Sequence, residues 1–183
     1  MEWTPEASDE RLFAAYRDGD AAAYEVLFRR YQEPLRRHLE RMLDDRTAAE
    51  DVTVETFLRL HRHRDRFRAG TTFRPWAYTI ARNLARNHLR AVRVRRWLEP
   101  AATEANETPE SDTETRRRVA AAFTALPVAQ REVCSLRLLG GLPLQEIASV
   151  TGAAPGTVKS RLFYGLKRLR QLLADLEPGR REG

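Results

Sequence analysis

The fold of this chain is decided by Leu144-Gln145-Glu146-Ile147-Ala148-Ser149-Val150-Thr151-Gly152 and the stretch that follows it, Ala153-Ala154-Pro155-Gly156-Thr157-Val158-Lys159-Ser160-Arg161-Leu162. The first stretch predicts a helix of about two turns that ends at Gly152, where the turn needs a residue with positive φ. Pro155 suits the first position of a second helix, and Ile147, Val158 and Leu162 would pack the two helices together. This pattern predicts a helix-turn-helix, whose second helix enters the DNA major groove.

The second helix carries polar and aromatic side chains beside its apolar stripe. Lys159, Ser160, Phe163, Tyr164 and Lys167 combine donors, a hydroxyl and aromatic rings, which suit contact with base edges. Arg161, Arg168 and Arg170 suit phosphates or solvent. The alternative interpretation is an amphipathic helix in a plain bundle.

The remaining sequence divides into two helical segments around an acidic stretch. Six acidic residues and no Lys or Arg lie between Trp97 and Thr115, which predicts an extended linker. After it, helices are expected at about 116–125, 128–139, 143–151 and 155–173. Before it, helical periodicity predicts four helices. We therefore expect an all-α protein with two small helical domains, 8–97 and 113–175, joined by a flexible acidic linker at 98–112.

Capping residues and apolar spacing locate the four earlier helices. The first spans Asp9 to about Arg17, and Asp20 is expected to cap a long second helix. Thr47 would open a third helix, with Glu50 as its capping-box partner. The apolar stripe expected on the third helix comprises Val52 or Val54, Phe57, Leu58 and His61. The fourth helix is expected from Phe73 to Trp97.

The fourth helix also carries a row of cations. Arg82, Arg86, Arg90 and Arg93 share one face, and Asn83 and Asn87 form an adjacent row. The aromatic residues Phe67, Trp76 and Tyr78 precede them. A surface that combines cations, amides and aromatic rings favours single-stranded DNA as a binding partner. The alternative is a solvated basic face with Trp76 in the core.

Composition narrows the class of protein. The 183 residues include 32 Lys and Arg against 26 Asp and Glu, and this basic balance favours a polyanionic partner. We expect no signal peptide and no membrane insertion, because no segment has the required apolar run. Cys134 is the single cysteine, so it excludes an internal disulfide and is expected to be a buried, inert thiol. A cytoplasmic location is expected.

An enzyme is not expected from the motifs. The sequence holds no phosphate-binding G-x-x-x-x-G-K, no Cys/His cluster and no nucleophile motif, so we expect no catalytic residue, cofactor, metal or small-molecule substrate. The rival hypothesis is a stand-alone helix-turn-helix regulator that binds duplex DNA as a dimer. That regulator would need a sensor or dimerisation domain before residue 97, and the Arg-rich fourth helix argues against an apolar dimer seam.

Three motifs in order resemble one family. Ala49-Glu50-Asp51-Val52-Thr53-Val54-Glu55-Thr56-Phe57-Leu58-Arg59-Leu60 resembles the region 2 core-binding signature of extracytoplasmic-function (ECF) sigma factors. Phe73-Arg74-Pro75-Trp76-Ala77-Tyr78-Thr79-Ile80-Ala81-Arg82-Asn83 resembles their promoter-melting segment. Leu126-Pro127 and Gly156-Thr157-Val158-Lys159-Ser160-Arg161-Leu162 resemble their region 4.

The resemblance implies a non-enzymatic sigma factor that directs core RNA polymerase to promoter DNA. Asp51, Glu55 and Arg59 would dock on the β′ clamp helices, and region 4 would meet the β flap. Two sets of residues would read the −10 and −35 elements, with Asn83 holding a flipped base. The −10 set is Phe67, Trp76, Tyr78, Arg82, Asn83, Arg86, Asn87 and Arg90, and the −35 set is Thr157, Lys159, Ser160, Arg161, Phe163, Tyr164 and Lys167. An anti-sigma factor is expected as a further partner.

The sequence departs from the family pattern at three places. Val54 stands where the family often has Gln, which changes one polar contact with polymerase. Tyr164 stands where some members carry Arg, so a guanine contact there is not assumed. Neither Ala153 nor Ala154 offers the side-chain cap often seen before Gly156.

Overall fold

The computed structural model describes residues 3–4, 6–68, 70–98 and 114–174. These residues form helices and a short 3-10 turn, Arg64–Arg66, with no strand among them, so the predicted all-α fold is confirmed. Residues 99–112 of the expected acidic linker, and residue 113 after it, lie outside the described part. The helices are α1 (Asp9–Arg17), α2 (Ala21–Leu43), α3 (Arg46–Arg62), α4 (Phe73–Leu98), α5 (Glu114–Thr124), α6 (Val128–Leu138), α7 (Leu144–Thr151) and α8 (Pro155–Leu172).

Helix caps explain where α2 and α3 begin and end. The Asp20 carboxylate accepts hydrogen bonds from the Ala22 and Ala23 amides, as predicted. The start predicted at Thr47 is wrong, because α3 begins at Arg46 and the Asp45 carboxylate accepts from the Ala48 amide at 2.9 Å. Asp44 ends α2 in the left-handed conformation, with φ 56°. Two consecutive aspartates therefore form the whole α2–α3 turn, which leaves the Thr47 residue inside the first turn of α3.

The core of the N-terminal unit, α1–α4, is built around aromatic rings. The Phe13 ring lies 4.8 Å from Phe67, 5.2 Å from Phe73 and 5.3 Å from Trp76, centroid to centroid. The pairs with Phe67 and Trp76 are edge to face and the pair with Phe73 is tilted, and such pairs add to the free energy gained by burial alone. The loop before α4 is thereby fixed to α1.

The stripe predicted for α3 is partly wrong. Val52 and Phe57 are buried, but Val54 and Leu58 are 57% and 45% exposed. The small residues Ala48, Ala49, Thr53 and Thr56 are buried instead, which lets α2 and α3 approach closely. The two threonine hydroxyls donate to backbone carbonyls one turn back, so burial leaves neither unsatisfied.

The C-terminal unit, α5–α8, contains the predicted helix-turn-helix. Gly152 ends α7 with φ 69°, and Pro155 opens α8. Ile147 and Val158 are fully buried between the two helices. Cys134 is buried as expected, and burial raises the pKa of its thiol to about 11. Gly165 lies against it, and a Cβ there would overlap the Cys134 Sγ, so α8 crosses α6 closely only because this residue has no side chain.

The two units pack against each other, which the sequence did not predict. α4 contacts α7, and α2 contacts α5 and α6. His38 in α2 is hydrogen-bonded to Ser135 in α6 at 2.8 Å, and both side chains are buried. One buried apolar cluster runs through both units and includes Leu35 of the first and Leu142 of the second.

Candidate nucleic-acid interface

Two exposed aromatic rings mark the outer surface of α8. Phe163 and Tyr164 are 63% and 58% exposed, and their rings meet edge to face with centroids 5.3 Å apart. Lys159 and Lys167 on the same helix are exposed as well. Exposed aromatic rings beside cations are typical of a surface that binds a partner rather than of a solvated helix face.

The predicted −35 residues divide between two surfaces. Lys159, Ser160, Phe163, Tyr164 and Lys167 are exposed, and the Ser160 hydroxyl donates to the Thr157 carbonyl at 3.0 Å. Thr157 and Arg161 are half-buried and line a cleft between α8 and α4.

The basic row of α4 is mostly open to solvent. Asn83, Arg86, Asn87 and Arg90 are exposed, and no ion pair of these two arginines occurs among the residues that the structure describes. Arg82 differs, because its side chain is only 15% exposed and its Nε donates to Glu132 Oε1 of α6 at 2.6 Å. Arg82, the first cation of the row, is therefore paired with a residue of the C-terminal unit.

The three predicted aromatic residues of the −10 set lie in or against the core. Phe67 is 5% exposed, Tyr78 is fully buried, and Trp76 is half-buried against Phe13 and Phe67. Burial raises the pKa of the Tyr78 phenol, and its hydroxyl has no hydrogen-bond partner among the residues that the structure describes. In this arrangement the Phe67 and Tyr78 rings do not reach solvent, so DNA contact by them stays a prediction.

One basic cleft joins the two candidate DNA surfaces. Its volume is about 760 Å³, and α4 lines one wall while α6 and the α7–α8 turn line the other. The arginines in its lining are Arg82, Arg86, Arg90, Arg93 and Arg161. Sequence spacing predicted the row on α4, but nothing in the spacing could place Arg161 beside it.

A third exposed surface lies on α3, and we call it the α3 patch: Asp51, Val54, Glu55, Leu58, Arg59 and Arg62. Glu55 pairs with Arg59 at 2.9 Å and with Arg62 at 3.6 Å. Val54 and Leu58 add exposed apolar area between these charges. Their steps of three and four place all six residues on one face, so helical spacing alone could have identified Leu58 as a surface residue.

Neither a metal-binding cluster nor a membrane-spanning helix is found in the part of the chain that is described. No group of three or more His, Cys, Asp or Glu side chains there could hold a metal ion. Of the described helices, none is both long and apolar enough to cross a membrane.

Comparison with protein families assigns both units. Residues 27–95 match the family described as Sigma-70 region 2, and residues 116–169 match the one described as Sigma-70, region 4. The chain is 37% identical over 166 residues to the RNA polymerase sigma factor CarQ of Myxococcus xanthus, covering 88% of this chain and 95% of that one. It is 34% identical over 167 residues to the ECF RNA polymerase sigma factor SigL of Mycobacterium tuberculosis H37Rv, covering 86% of this chain and 92% of SigL. The chain belongs to the ECF sigma factors.

Solved structures show the same fold for this ECF sigma factor. The sigma factor RpoE, crystallised with the anti-sigma factor NepR from Bartonella quintana, aligns with a TM-score of 0.70 at 23% identity, covering 82% of this chain and 96% of RpoE. CnrH, in complex with the cytosolic domain of CnrY, aligns with a TM-score of 0.72 at 24% identity, covering 93% and 100%.

Family membership gives this sigma factor its general role. Sigma factors are non-catalytic initiation factors that bring RNA polymerase to promoters, and this chain carries both of the regions by which ECF members do so. The rival hypothesis of a stand-alone regulator is wrong, because residues 27–95 form region 2 and not a sensor or dimerisation domain.

Proposed function

We propose that α3 seats this sigma factor on the β′ clamp helices of core RNA polymerase through the α3 patch. The patch combines two exposed aliphatic side chains, Val54 and Leu58, with the charged residues Asp51, Glu55 and Arg59. Apolar area supplies affinity at such an interface, and charges around it fix orientation. The C-terminal unit would make a second contact, with the β flap.

We propose that α4 melts and reads the −10 element. Arg86 and Arg90 are exposed cations that suit the phosphates of a separated strand, and the Asn83 amide can hydrogen-bond the edge of a flipped base. Arg82 would join them once it is released from Glu132.

We propose that α8 reads the −35 element in the major groove. Lys159 and Ser160 would contact base edges, and the Phe163 and Tyr164 rings would pack against thymine methyl groups or the sugar backbone. The observation that carries the proposal is the exposed Phe163–Tyr164 pair beside Lys159 on the second helix of a helix-turn-helix.

The remaining features of the proposal follow from this role. The promoter-binding domains would be 8–97 and 113–175, with the acidic segment 98–112 threading into polymerase. The chain would have no catalytic activity of its own, and it would act in the cytoplasm, where polymerase and promoters are. We extend to it an anti-sigma partner, because RpoE, which has the same fold, was crystallised with the anti-sigma factor NepR.

Transcription by reconstituted holoenzyme tests this proposal. Core RNA polymerase with the purified chain would be incubated with fragmented genomic DNA, and the 5′ ends of the transcripts would be mapped. We expect a discrete set of start sites with one shared pair of upstream elements. Core polymerase alone is the control. Starts that are no more numerous or specific than with the core enzyme would contradict the proposed function.

A further inference from the structure

The basic cleft between the two units holds more positive charge than its own carboxylate can balance. Glu132 supplies the one carboxylate among its lining residues, and that group is paired with Arg82 at 2.6 Å. The other four arginines of the lining form no ion pair among the residues that the structure describes. These four are Arg86, Arg90 and Arg93 of α4 and Arg161 of α8.

The four arginines come from both walls of the cleft. Arg93 is exposed on the α4 wall, and Arg161 is half-buried on the α8 wall. Cations that line one cleft raise its positive potential and concentrate anions there. Each guanidinium group also presents a rigid fork of N–H donors that matches two oxygens of a phosphate group. An anion that touches both walls would therefore gain bonds from both units at once.

The first turn of α8 adds backbone donors to the same cleft. Ala153, Ala154 and Thr157 are among the lining residues. Ala154 is the N-cap residue of this 18-residue helix, and it gives the amides of the first turn no side-chain acceptor. Such amides carry partial positive charge and bind anions readily. The missing cap therefore leaves a second, independent anion-binding element beside the arginines.

The size of the cleft suits a small ligand. Its volume of about 760 Å³ lies within the range of roughly 300–1,000 Å³ that is usual for small-molecule sites. A few linked phosphate groups or a single nucleotide fit such a volume, whereas a turn of duplex DNA does not. Leu89 and Val128 add apolar side chains to the lining, on which a nucleoside could rest.

We propose that the basic cleft binds a small polyanion made of linked phosphate groups, which contacts Arg93 of α4 and Arg161 of α8 together and caps the start of α8. A terminal phosphate carries about two negative charges near neutral pH. A triphosphate chain therefore carries about four, which matches the four unpaired arginines. The inference goes beyond the proposed function, because this site belongs to the free chain and requires neither polymerase nor DNA.

Isothermal titration calorimetry of the full chain tests the site. Sodium tripolyphosphate is the probe, at an ionic strength of about 0.15 M, where charges more than about 8 Å apart are largely screened. We expect one tripolyphosphate to bind per chain. We expect Arg93→Gln and Arg161→Gln each to weaken this binding at least fivefold, because each removes a cation from one wall.

Two other arginines supply matched controls. Arg95 is exposed on α4 and Arg168 is exposed on α8, and neither lines the cleft. Arg95→Gln and Arg168→Gln lower the net charge by the same amount as the cleft variants, and we expect both to bind within about twofold of the native chain. Circular dichroism checks that all four variants keep the native helix content.

A titration with ATP in the absence of divalent cations separates two sources of the same phosphate chemistry. Tighter binding of ATP than of tripolyphosphate assigns a nucleotide ligand, which also uses the apolar lining. Equal or weaker binding of ATP assigns an inorganic phosphate chain. Either result supports the site when the two cleft variants weaken the binding.

Three results overturn the proposal. The first is no binding of tripolyphosphate or ATP, and the second is several tripolyphosphate ions per chain with equal losses in the cleft and control variants, as general attraction to positive charge would give. The third is a loss in Arg93→Gln alone or in Arg161→Gln alone, which would show that no ligand contacts both walls. Because the titration contains no polymerase and no DNA, none of these results decides the proposed promoter role.

Discussion

His38 in α2 donates a hydrogen bond from Nδ1 to the Ser135 hydroxyl in α6, and the two residues are 97 positions apart in the chain. The direction follows from Ser135, whose own hydroxyl hydrogen is directed at the Glu132 carbonyl at 3.0 Å. The imidazole is fully buried, so it is neutral at pH 7. This hydrogen bond links α2 of the N-terminal unit directly to α6 of the C-terminal unit.

Burial of His38 predicts a pH-dependent stability. Desolvation, and then the charge of Arg82, lower its pKa to about 3. Below pH 6.5 the unfolded chain binds a proton that the folded chain refuses, so this contribution is present at neutral pH and is lost as the pH falls from 6.5 toward 3. The Tyr78 ring and the Ser135 hydroxyl lie beside the imidazole, and the Glu132 carboxylate is paired with Arg82, so His38 itself has no carboxylate hydrogen-bonded to it among the described residues.

Urea unfolding at pH 7 and pH 5 checks this expectation. We expect the free energy of unfolding of the native chain to fall more between these pH values than that of His38→Gln, which cannot take up the proton. The Gln32→Ala variant, exposed on α2 and without a titratable group, is the control and should keep the native pH dependence. Equal pH dependence in the native chain and His38→Gln would show that His38 is not buried by the C-terminal unit.

Gly165 is predicted to be essential for the α6–α8 contact. A methyl group there would overlap Cys134 Sγ, so we expect Gly165→Ala to destabilise the chain by about 1–3 kcal/mol. Gly156→Ala is the control, because nothing lies within 4 Å of its Cβ position and alanine favours the helix. Thermal unfolding measures both, and a Gly165→Ala chain as stable as Gly156→Ala would contradict this packing.

Leu58 tests the α3 patch. Because it is 45% exposed, Leu58→Glu should leave the fold intact and yet place a desolvated charge in the polymerase interface. We expect its affinity for core polymerase to fall by about tenfold or more, as a loss of roughly 1.4 kcal/mol would give. The matched variant Leu172→Glu, 41% exposed on α8, should bind the core enzyme normally. Equal loss in both would remove the patch from this role.

Asn83 tests the melting role of α4. We expect Asn83→Ala holoenzyme to bind duplex promoter within about twofold of the native level but to open it about tenfold less, because one bond to a flipped base is absent. Gel-shift affinity and permanganate reactivity of −10 thymines measure the two steps. Gln32→Ala, exposed on α2, is the control. A matching loss in both steps would reject a specific melting role.

The sequence predicted the individual helices better than the packing between the two units. The helix bounds, the Asp20 cap and the Gly152 turn follow from local rules. Each depends only on residues within about one turn of a helix end. The Asp45 cap was missed because Thr47, two residues later, offered an equally good local signal. The pairing of His38 with Ser135 was not predictable, since no periodicity specifies which face of α2 meets which face of α6.

The same limit applies to the candidate nucleic-acid interface: spacing places residues on one helix but does not show which other helix they contact. The Arg row on α4 and the aromatic pair on α8 could be read from spacing within one helix. Tyr78 belongs to the same helix, but its burial depends on contact with Gly140 more than sixty positions away. Phe67 is buried within its own unit, against Phe13, and spacing along one helix does not show that contact either.

Site-specific photo-crosslinking in the promoter complex tests the central claim most directly. A photoreactive amino acid would replace Asn83 in one holoenzyme and Tyr164 in another, and the crosslinked bases would be mapped on one promoter. We predict that position 83 reacts with bases of the −10 element and position 164 with bases of the −35 element. Crosslinks from both positions to the same few base pairs, or none to DNA from either, would contradict the account.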